Sequence, residues 1–314
     1  MIIIKDTINF KLSERTAVSI GKFDGIHKGH GKILKKLDGY KKEGLKTAVF
    51  SFDIPPNAYF SGKEQKVLLT PTEKRRVFED LSVDYLIEFP FNEKTAATDP
   101  KVFVEDVLLD SMQAKVIVCG DDISFGSEGR GNLDLLRSYE AEGAVSVCIV
   151  DKETYGGEII SSSRIRSEIV SGSIEKANRM LLMPYMFYGE VVHGRRLGRT
   201  IGMPTVNLLP EPDKLMPDSG VYYSGTKYAG RDYRSITNIG VKPTVVRHNG
   251  KDKPVMGVET YIYDFDREIY GDELFVSLYH FVRPERKFSS VDALKAQMKK
   301  DIEQGREWHG KHFV

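Results

Sequence analysis

Two histidines set among three glycines are the most chemically specific feature of this sequence. The run reads Gly21-Lys22-Phe23-Asp24-Gly25-Ile26-His27-Lys28-Gly29-His30. It follows an apolar stretch, TAVSIG (16–21), that reads as a buried strand. It precedes Ile33, Leu34, Leu37 and Tyr40, whose spacing predicts a helix. The turn from a strand into a helix is where parallel α/β sheets bind nucleotides. Gly21, Gly25 and Gly29 would let the backbone approach a phosphate, and the helix start offers unpaired N–H groups. His27 and His30 could then reach one anion, as suits a reaction that builds charge on phosphoryl oxygens. Taken alone, the pair is also compatible with half a metal site or a polar surface.

Three further segments carry polar groups with a chemical use. ISSSRIR (160–166) places Ser161, Ser162, Ser163 and Arg166 at a predicted helix start, where hydroxyls, N–H groups and a guanidinium can converge on phosphate. HGRRLGRTIGMPTVNLLP (193–210) is basic and glycine-rich and ends in Pro204-Thr205-Val206-Asn207. If that end is extended, Thr205 and Asn207 share one side and offer hard oxygen ligands to Mg²⁺. Glu259 interrupts the apolar run VMGVETYIYDF, and an acid there is either an outward-facing strand residue or an outlier with a chemical use. No Walker A motif is present. Gly220 to Lys227 has the spacing but ends in Thr-Lys.

These residues need two kinds of scaffold. Up to about residue 150, strands at 16–21, 45–52, 84–89, 114–120 and 144–151 alternate with helical patterns, which implies βαβ crossovers and a mostly parallel sheet. Thr70-Pro71-Thr72-Glu73 carries the signature of a capped helix start. Two short helices, 163–171 and 173–182, follow. From Tyr185 the strand-like runs succeed one another without long helices, which predicts an antiparallel barrel or sandwich. A last helix is expected over 289–304. The predicted domains are therefore 1–183 and 184–314.

Composition removes several alternatives. Lys plus Arg number 46 against 45 for Asp plus Glu, so the net charge of +1 supplies no general field for nucleic acid. A local basic patch at Arg195 and Arg196 stays compatible with the sequence. Cys119 and Cys148 are too few for a disulfide framework or zinc ribbon. No signal peptide and no membrane-length apolar run are read, so a soluble cytoplasmic protein is expected.

GKFDGIHKGH resembles the HxGH signature of nucleotidylyltransferases, and Phe23-Asp24-Gly25 resembles the branch formed by bacterial bifunctional riboflavin kinase/FAD synthetases (FMN adenylyltransferases). GDDISFGSEGRGN (120–132), ISSSRIR, NIGVKPT (238–244) and RPERKF (283–288) resemble segments of the same family in the same order. PTVN is similar to its PTAN motif, and Gly198, Arg199, Gly202 and Pro204 match around it. The resemblance implies a Rossmann-like nucleotidylyltransferase domain followed by an antiparallel β-barrel riboflavin kinase domain with a C-terminal helix. It implies that His27, His30, Gly21, Phe23, Asp24, Gly25, Gly29, Ser161, Ser162, Ser163 and Arg166 serve ATP in the first domain. It gives Thr205 and Asn207 to Mg-ATP, Glu259 to the ribityl hydroxyl as general base, and Arg283 to the flavin side. The implied ligands are ATP, Mg²⁺, riboflavin, FMN and FAD. The chain departs from the pattern at Lys22, where Asn is usual, and at Ile54-Pro55-Pro56, where Pro-His-Pro is frequent. Ile123-Ser124 also replaces a frequent Phe-Arg. Two other readings use the same residues: a riboflavin kinase with an impaired first domain, and a flavin-binding regulator.

Overall fold

Alternating apolar runs and capped helices build the first half of the chain, as their periods require. The computed structural model describes residues 1–62, 65–194, 198, 202–248 and 251–312, with backbone alone at 242–248 and 251–254. Packing divides the chain into Met1–Ser162 and Ser163–Val314.

The first unit holds β1 (Ile2–Lys5), β2 (Thr16–Ile20), α1 (Lys28–Gly39), β3 (Lys46–Phe52), α2 (Pro56–Ser61), α3 (Pro71–Asp80) and β4 (Tyr85–Phe89). After these come α4 (Glu93–Ala96), α5 (Pro100–Val102), β5 (Ala114–Cys119), α6 (Leu133–Ala141) and β6 (Ser146–Ile149). The main sheet has six strands in the order β1-β4-β3-β2-β5-β6, and every pair is parallel. The chain winds outward from β2 through β3 and β4, then crosses to β5 and β6. The carboxyl end of β2 therefore lies at the reversal of strand order, where a crevice opens in such sheets.

Strand β1 was not expected, because Ile2–Lys5 was read only as lacking a leader. It pairs along the sheet edge with β4, and Ile2 and Ile3 stay exposed. Asp99 caps α5, and the helix continues from there as a π-helix, Phe103–Ser111. Its buried residues Phe103, Val104 and Leu108, with Met112 beyond, recur at intervals nearer four than 3.6, which suits the wider turn. Helix α3 starts with the expected capping box: Thr70 accepts from the Glu73 N–H while Glu73 accepts from the Thr70 N–H.

The second unit contains almost all of α7 (Ser162–Val170), then α8 (Ile174–Met180), β9 (Met186–Glu190), β10 (Val206–Leu208), β11 (Gly220–Tyr228), β12 (Arg231–His248), β13 (Lys251–Ile262) and β14 (Glu273–Pro284). A small hairpin, β7 (Thr154–Tyr155) and β8 (Glu158–Ile159), precedes them. The antiparallel order is β10-β13-β12-β11-β14-β9. The bridge between Val192 and Asn207 joins the two edges into a near-closed barrel, as expected. Asn178 of α8 explains why the packing boundary precedes the change of texture at 184. Its amide donates to Leu278 O at 2.8 Å and accepts from Tyr185 N at 2.8 Å, which fastens α8 to β14.

The final helix, α9 (Val291–His312), runs beyond the expected end at 304. Gly305 does not stop it. A Cβ there would meet Tyr263 Oη at 2.2 Å and the Tyr223 ring at 3.1 Å, so the glycine lets the helix approach the barrel wall. His309, fully buried, then reaches Ser235 O at 3.1 Å.

In the first unit, Glu88 is 5% exposed inside β4 and is held by Arg75 of α3 through Nε at 2.9 Å and through Nη2. Removing the guanidinium would leave an uncompensated buried carboxylate. Arg75→Ala should lower the stability of the first unit by about 3 kcal/mol in urea unfolding. A change within about 0.5 kcal/mol would show that water already shares the burden at Glu88.

Candidate functional site

The first constellation is assembled by the end of β2 and the start of α1. His27 is the N-cap of α1, and its Nδ1 accepts from the His30 N–H at 3.3 Å. That role needs an unprotonated Nδ1, so the neutral ring carries its proton on Nε2. The two imidazoles stack with centroids 3.7 Å apart and planes 19° apart. His30 Nδ1 is buried without a partner. Gly29 makes this possible, since a Cβ there would lie 3.1 Å from the His27 ring. Gly25 adopts φ +79° with Leu68 Cδ1 2.5 Å from where a Cβ would stand.

Phe23 and Asp24 do more for the loop than for its open side. Phe23 is 1% exposed at φ 46°, packed against His30 and Phe78, with its ring 3.0 Å from a Cβ placed on Gly21. Asp24 Oδ1 accepts from Leu68 N at 2.8 Å and Leu69 N at 3.3 Å. The Asp24 carbonyl accepts from Ser162 Oγ at 2.7 Å, which ties the start of α7 to the histidine loop. Ser161 is half-buried; Ser163 is exposed and Arg166 half-buried on α7.

Burial pushes His27 down to about 4. His30 falls to about 3, first by burial and then by the neighbouring His27 charge. Both rings are therefore neutral at pH 7.

Among the residues that the sequence did not single out, Lys74 of α3 bonds Ser51 Oγ at 3.3 Å, beside the Asp24 and Glu88 charges. Burial holds its pKa below the usual lysine range. At the end of β3, Phe52, Tyr59, Phe60 and Phe91 form edge-to-face contacts with centroids 4.7–5.7 Å apart. Phe60 is 71% exposed. Asp53, two residues before Pro55, accepts from Phe91 N at 2.8 Å and fixes that turn.

The second constellation lies on the barrel. Asn207, Glu259 and Asn238 stand side by side on β10, β13 and β12. Thr205 Oγ1 donates to Glu259 Oε1 at 2.7 Å. Gly194 leaves room for the Asn207 amide, whose Nδ2 would lie 2.4 Å from a Cβ there. At Gly198 a Cβ would stand 2.3 Å from Met203 O. Gly202 takes φ +76° in the same loop, and Pro204 leads into β10. Arg199, like Arg195 and Arg196, lies outside the described residues.

A cavity of about 950 Å³ opens between this barrel face and α9. Thr205, Asn238, Glu259, Arg283, Phe288 and Met298 are among the residues lining it. A smaller cavity of about 160 Å³ is lined by Pro204, Thr205, Asp266, Arg267 and Tyr270, so Thr205 belongs to both walls. Arg283 is not free to roam: Nε and Nη2 hold Asp301 of α9 at 3.1 and 2.7 Å. Asp301 was legible as an acid on the same helical face as Leu294 and Met298. Asn238 donates to Glu285 at 2.8 Å, a pairing that no local pattern announces.

A family model described as FAD synthetase matches residues 9–164, and one described as riboflavin kinase matches 181–309. The chain is 37% identical to the bifunctional riboflavin kinase/FMN adenylyltransferase of Listeria monocytogenes, over 94% of this chain and 92% of the relative. This chain belongs to the bifunctional riboflavin kinase/FMN adenylyltransferase family. The Bacillus subtilis member is 33% identical over 91% of this chain and 90% of its own. A solved structure described as a macrolide-efflux protein from Streptococcus pneumoniae superposes with a TM-score of 0.80 at 31% identity, covering 98% of this chain and 99% of that one. Among the described residues, no helix is long and apolar enough to cross a membrane.

The depressed imidazoles of His27 and His30, joined by a His309 that burial lowers in the same direction, make stability depend on pH in a set direction. In the unfolded chain both titrate near 6.5. Their contribution is complete above pH 6.5 and is lost as pH falls toward the folded values of about 4 and about 3. Urea unfolding of the intact chain should therefore have a lower midpoint at pH 5 than at pH 7.5. The His27→Gln/His30→Gln double variant should lose most of that difference; an undiminished difference would place the titrating groups elsewhere.

Proposed function

We propose that this chain makes flavin cofactors in two steps. The barrel unit transfers the γ-phosphoryl group of ATP to the 5′-hydroxyl of riboflavin, giving FMN and ADP. The HxGH unit then joins FMN to the adenylyl group of a second ATP, giving FAD and pyrophosphate. The observation that carries the reading is Thr205, which lines both cavities and donates to Glu259 on the wall of the larger one, with Asn207 opposite Glu259 in register. Membership of a family whose curated members are named for both activities supports it. The division of labour follows the predicted domains, 1–183 and 184–314.

In the kinase step, the larger cavity takes the flavin and the smaller one lies on the nucleotide side. Its size lies at the upper end of ordinary ligand pockets. Glu259, fixed by Thr205, accepts the ribityl hydroxyl proton as the oxygen attacks phosphorus. Arg283 and Phe288 form the flavin wall. The Thr205 hydroxyl and Asn207 amide oxygen are hard donors that fit Mg²⁺, which also takes water and phosphate oxygens. When bound with ATP, the ion neutralises charge on the β- and γ-phosphates.

In the adenylyl step, a phosphate oxygen of FMN attacks the α-phosphorus and pyrophosphate leaves. His27 and His30 donate hydrogen bonds as charge builds on the transferring group, and the α1 N-terminus adds its N–H groups. Ser161, Ser162, Ser163 and Arg166 hold the triphosphate. The exposed rings of Tyr59 and Phe60 offer a surface for the isoalloxazine. The reaction belongs in the cytoplasm, where ATP is available, and nucleic acid has no part in it.

Chromatography of two incubations with Mg-ATP tests this: riboflavin and FMN, supplied separately, should each yield FAD. Glu259→Gln should slow FMN formation by about 100-fold or more while leaving FAD formation from supplied FMN within about twofold. Equal loss of both products would overturn the division of labour.

A further inference from the structure

The histidine loop faces two anionic substrates with neutral imidazoles, so the positive charge beside it has to come from other side chains. Most cations around the strand ends are committed. Arg75 is bound to Glu88, and Lys74 sits under Ser51. Lys152 bridges Asp121 and Asp122 at 3.0 and 3.1 Å, and Lys32 is paired with Glu153. Lys28, in the first turn of α1, also lies in the field of Glu153.

Lys22 differs from these. It is exposed, and its ammonium has no hydrogen-bond or ion-pair partner among the described residues. Its backbone is nevertheless fixed. Gly21 N donates to Phe50 O at 3.0 Å, and the Lys22 carbonyl accepts from Ser51 Oγ at 3.4 Å. The residue thus stands at the joined carboxyl ends of β2 and β3, beside the reversal of strand order. An anchored backbone with a free, flexible cation is what a phosphate contact requires before its ligand arrives. Two of this chain's three departures from its family's pattern, at Lys22 and at Ile54-Pro55, fall at these same two strand ends.

We infer that Lys22 is a substrate-contacting residue of the adenylyl transfer in this chain, its ammonium binding the phosphate oxygens brought together by ATP and FMN. The inference rests on the adenylyltransferase reading above. It assigns a formal positive charge at the carboxyl ends of β2 and β3 to a side chain whose position usually carries a neutral amide in the family.

The test uses the intact chain, with its own kinase activity as the internal control. Lys22→Gln should reduce kcat/KM for FAD formation from FMN and ATP by about 10- to 100-fold, with FMN formation from riboflavin unchanged. Lys22→Arg, which keeps the charge, should recover to within about fivefold of the parent. Raising the salt concentration should slow the parent more than Lys22→Gln, because an exposed charge contact is screened. Full FAD synthesis by Lys22→Gln would overturn the role of Lys22 and leave the two-step reading standing. Absence of FAD synthesis in the parent chain would instead overturn that reading, and the inference with it.

Discussion

The hydrogen bond from Thr205 to Glu259 exists only while β10 and β13 hold one register. Asn207 is opposite Glu259 in that register, and Asn238 is opposite it on the other side. A slip of one residue would send each of these side chains to the opposite face. The barrel interior resists such a slip. Thr226, Ser235, Ser224, Thr237 and Thr260 form an unbroken chain of buried hydroxyl contacts of 2.8–3.0 Å across three strands. Displacing one strand would leave buried hydroxyls without partners, at about 1–3 kcal/mol each. A polar interior thus fixes the alignment on which the polar exterior depends. Barrel closure completes the arrangement, since the Asn207 carbonyl accepts from Val192 N at 2.9 Å.

The first unit meets the same need for alignment by different means. Its parallel strands are buried and apolar, so strand order places the site rather than a network of hydroxyls. The reversal beside β2 leaves a crevice at the end of that strand, and the residues from Gly21 to His30 fill its rim. Close packing then sets the loop. Phe23 at positive φ and Gly25 against Leu68 are strained or glycine-only conformations, held by a buried ring and by the Asp24 carboxylate. Such strain persists only where its surroundings determine it. Here it serves to stack two imidazoles at the start of a helix.

Much of this was legible because the chemistry resides in short segments with a local meaning. The His-x-x-His run, the capping box at Thr70 and the Thr205–Asn207 spacing each state their geometry within four residues. What was not legible depends on partners distant in the chain. Nothing near Glu259 announces Thr205, 54 residues away, and nothing near Arg283 announces Asp301. Asp24 and Phe23 belonged to a recognisable motif, yet their side chains turn to Leu68, Phe78 and His30 rather than to an open face. The last helix outran its expected end at 304 for a related reason: at Gly305 the absence of a side chain lets α9 pack against Tyr263 and Tyr223, residues far away in the sequence.

The balance of charge explains how a nearly neutral chain can handle some of the most anionic small molecules in metabolism. With a net charge of +1, no broad field draws phosphate to the surface, and local donors must suffice. The two units divide this problem differently. On the barrel, Thr205 and Asn207 offer hard oxygens of the kind that suit a metal-bound nucleotide, which would bring positive charge with it. At the end of β2 the loop presents helix N–H groups and two neutral imidazoles, which carry no formal charge of their own. Such a site gains from one mobile cation at its rim more than the barrel would. Burial that keeps His27 and His30 uncharged also keeps them from repelling each other at 3.7 Å, so stacking them at one helix start requires their neutrality. The geometry that stacks two imidazoles at one helix start therefore leaves formal charge to the side chains around them.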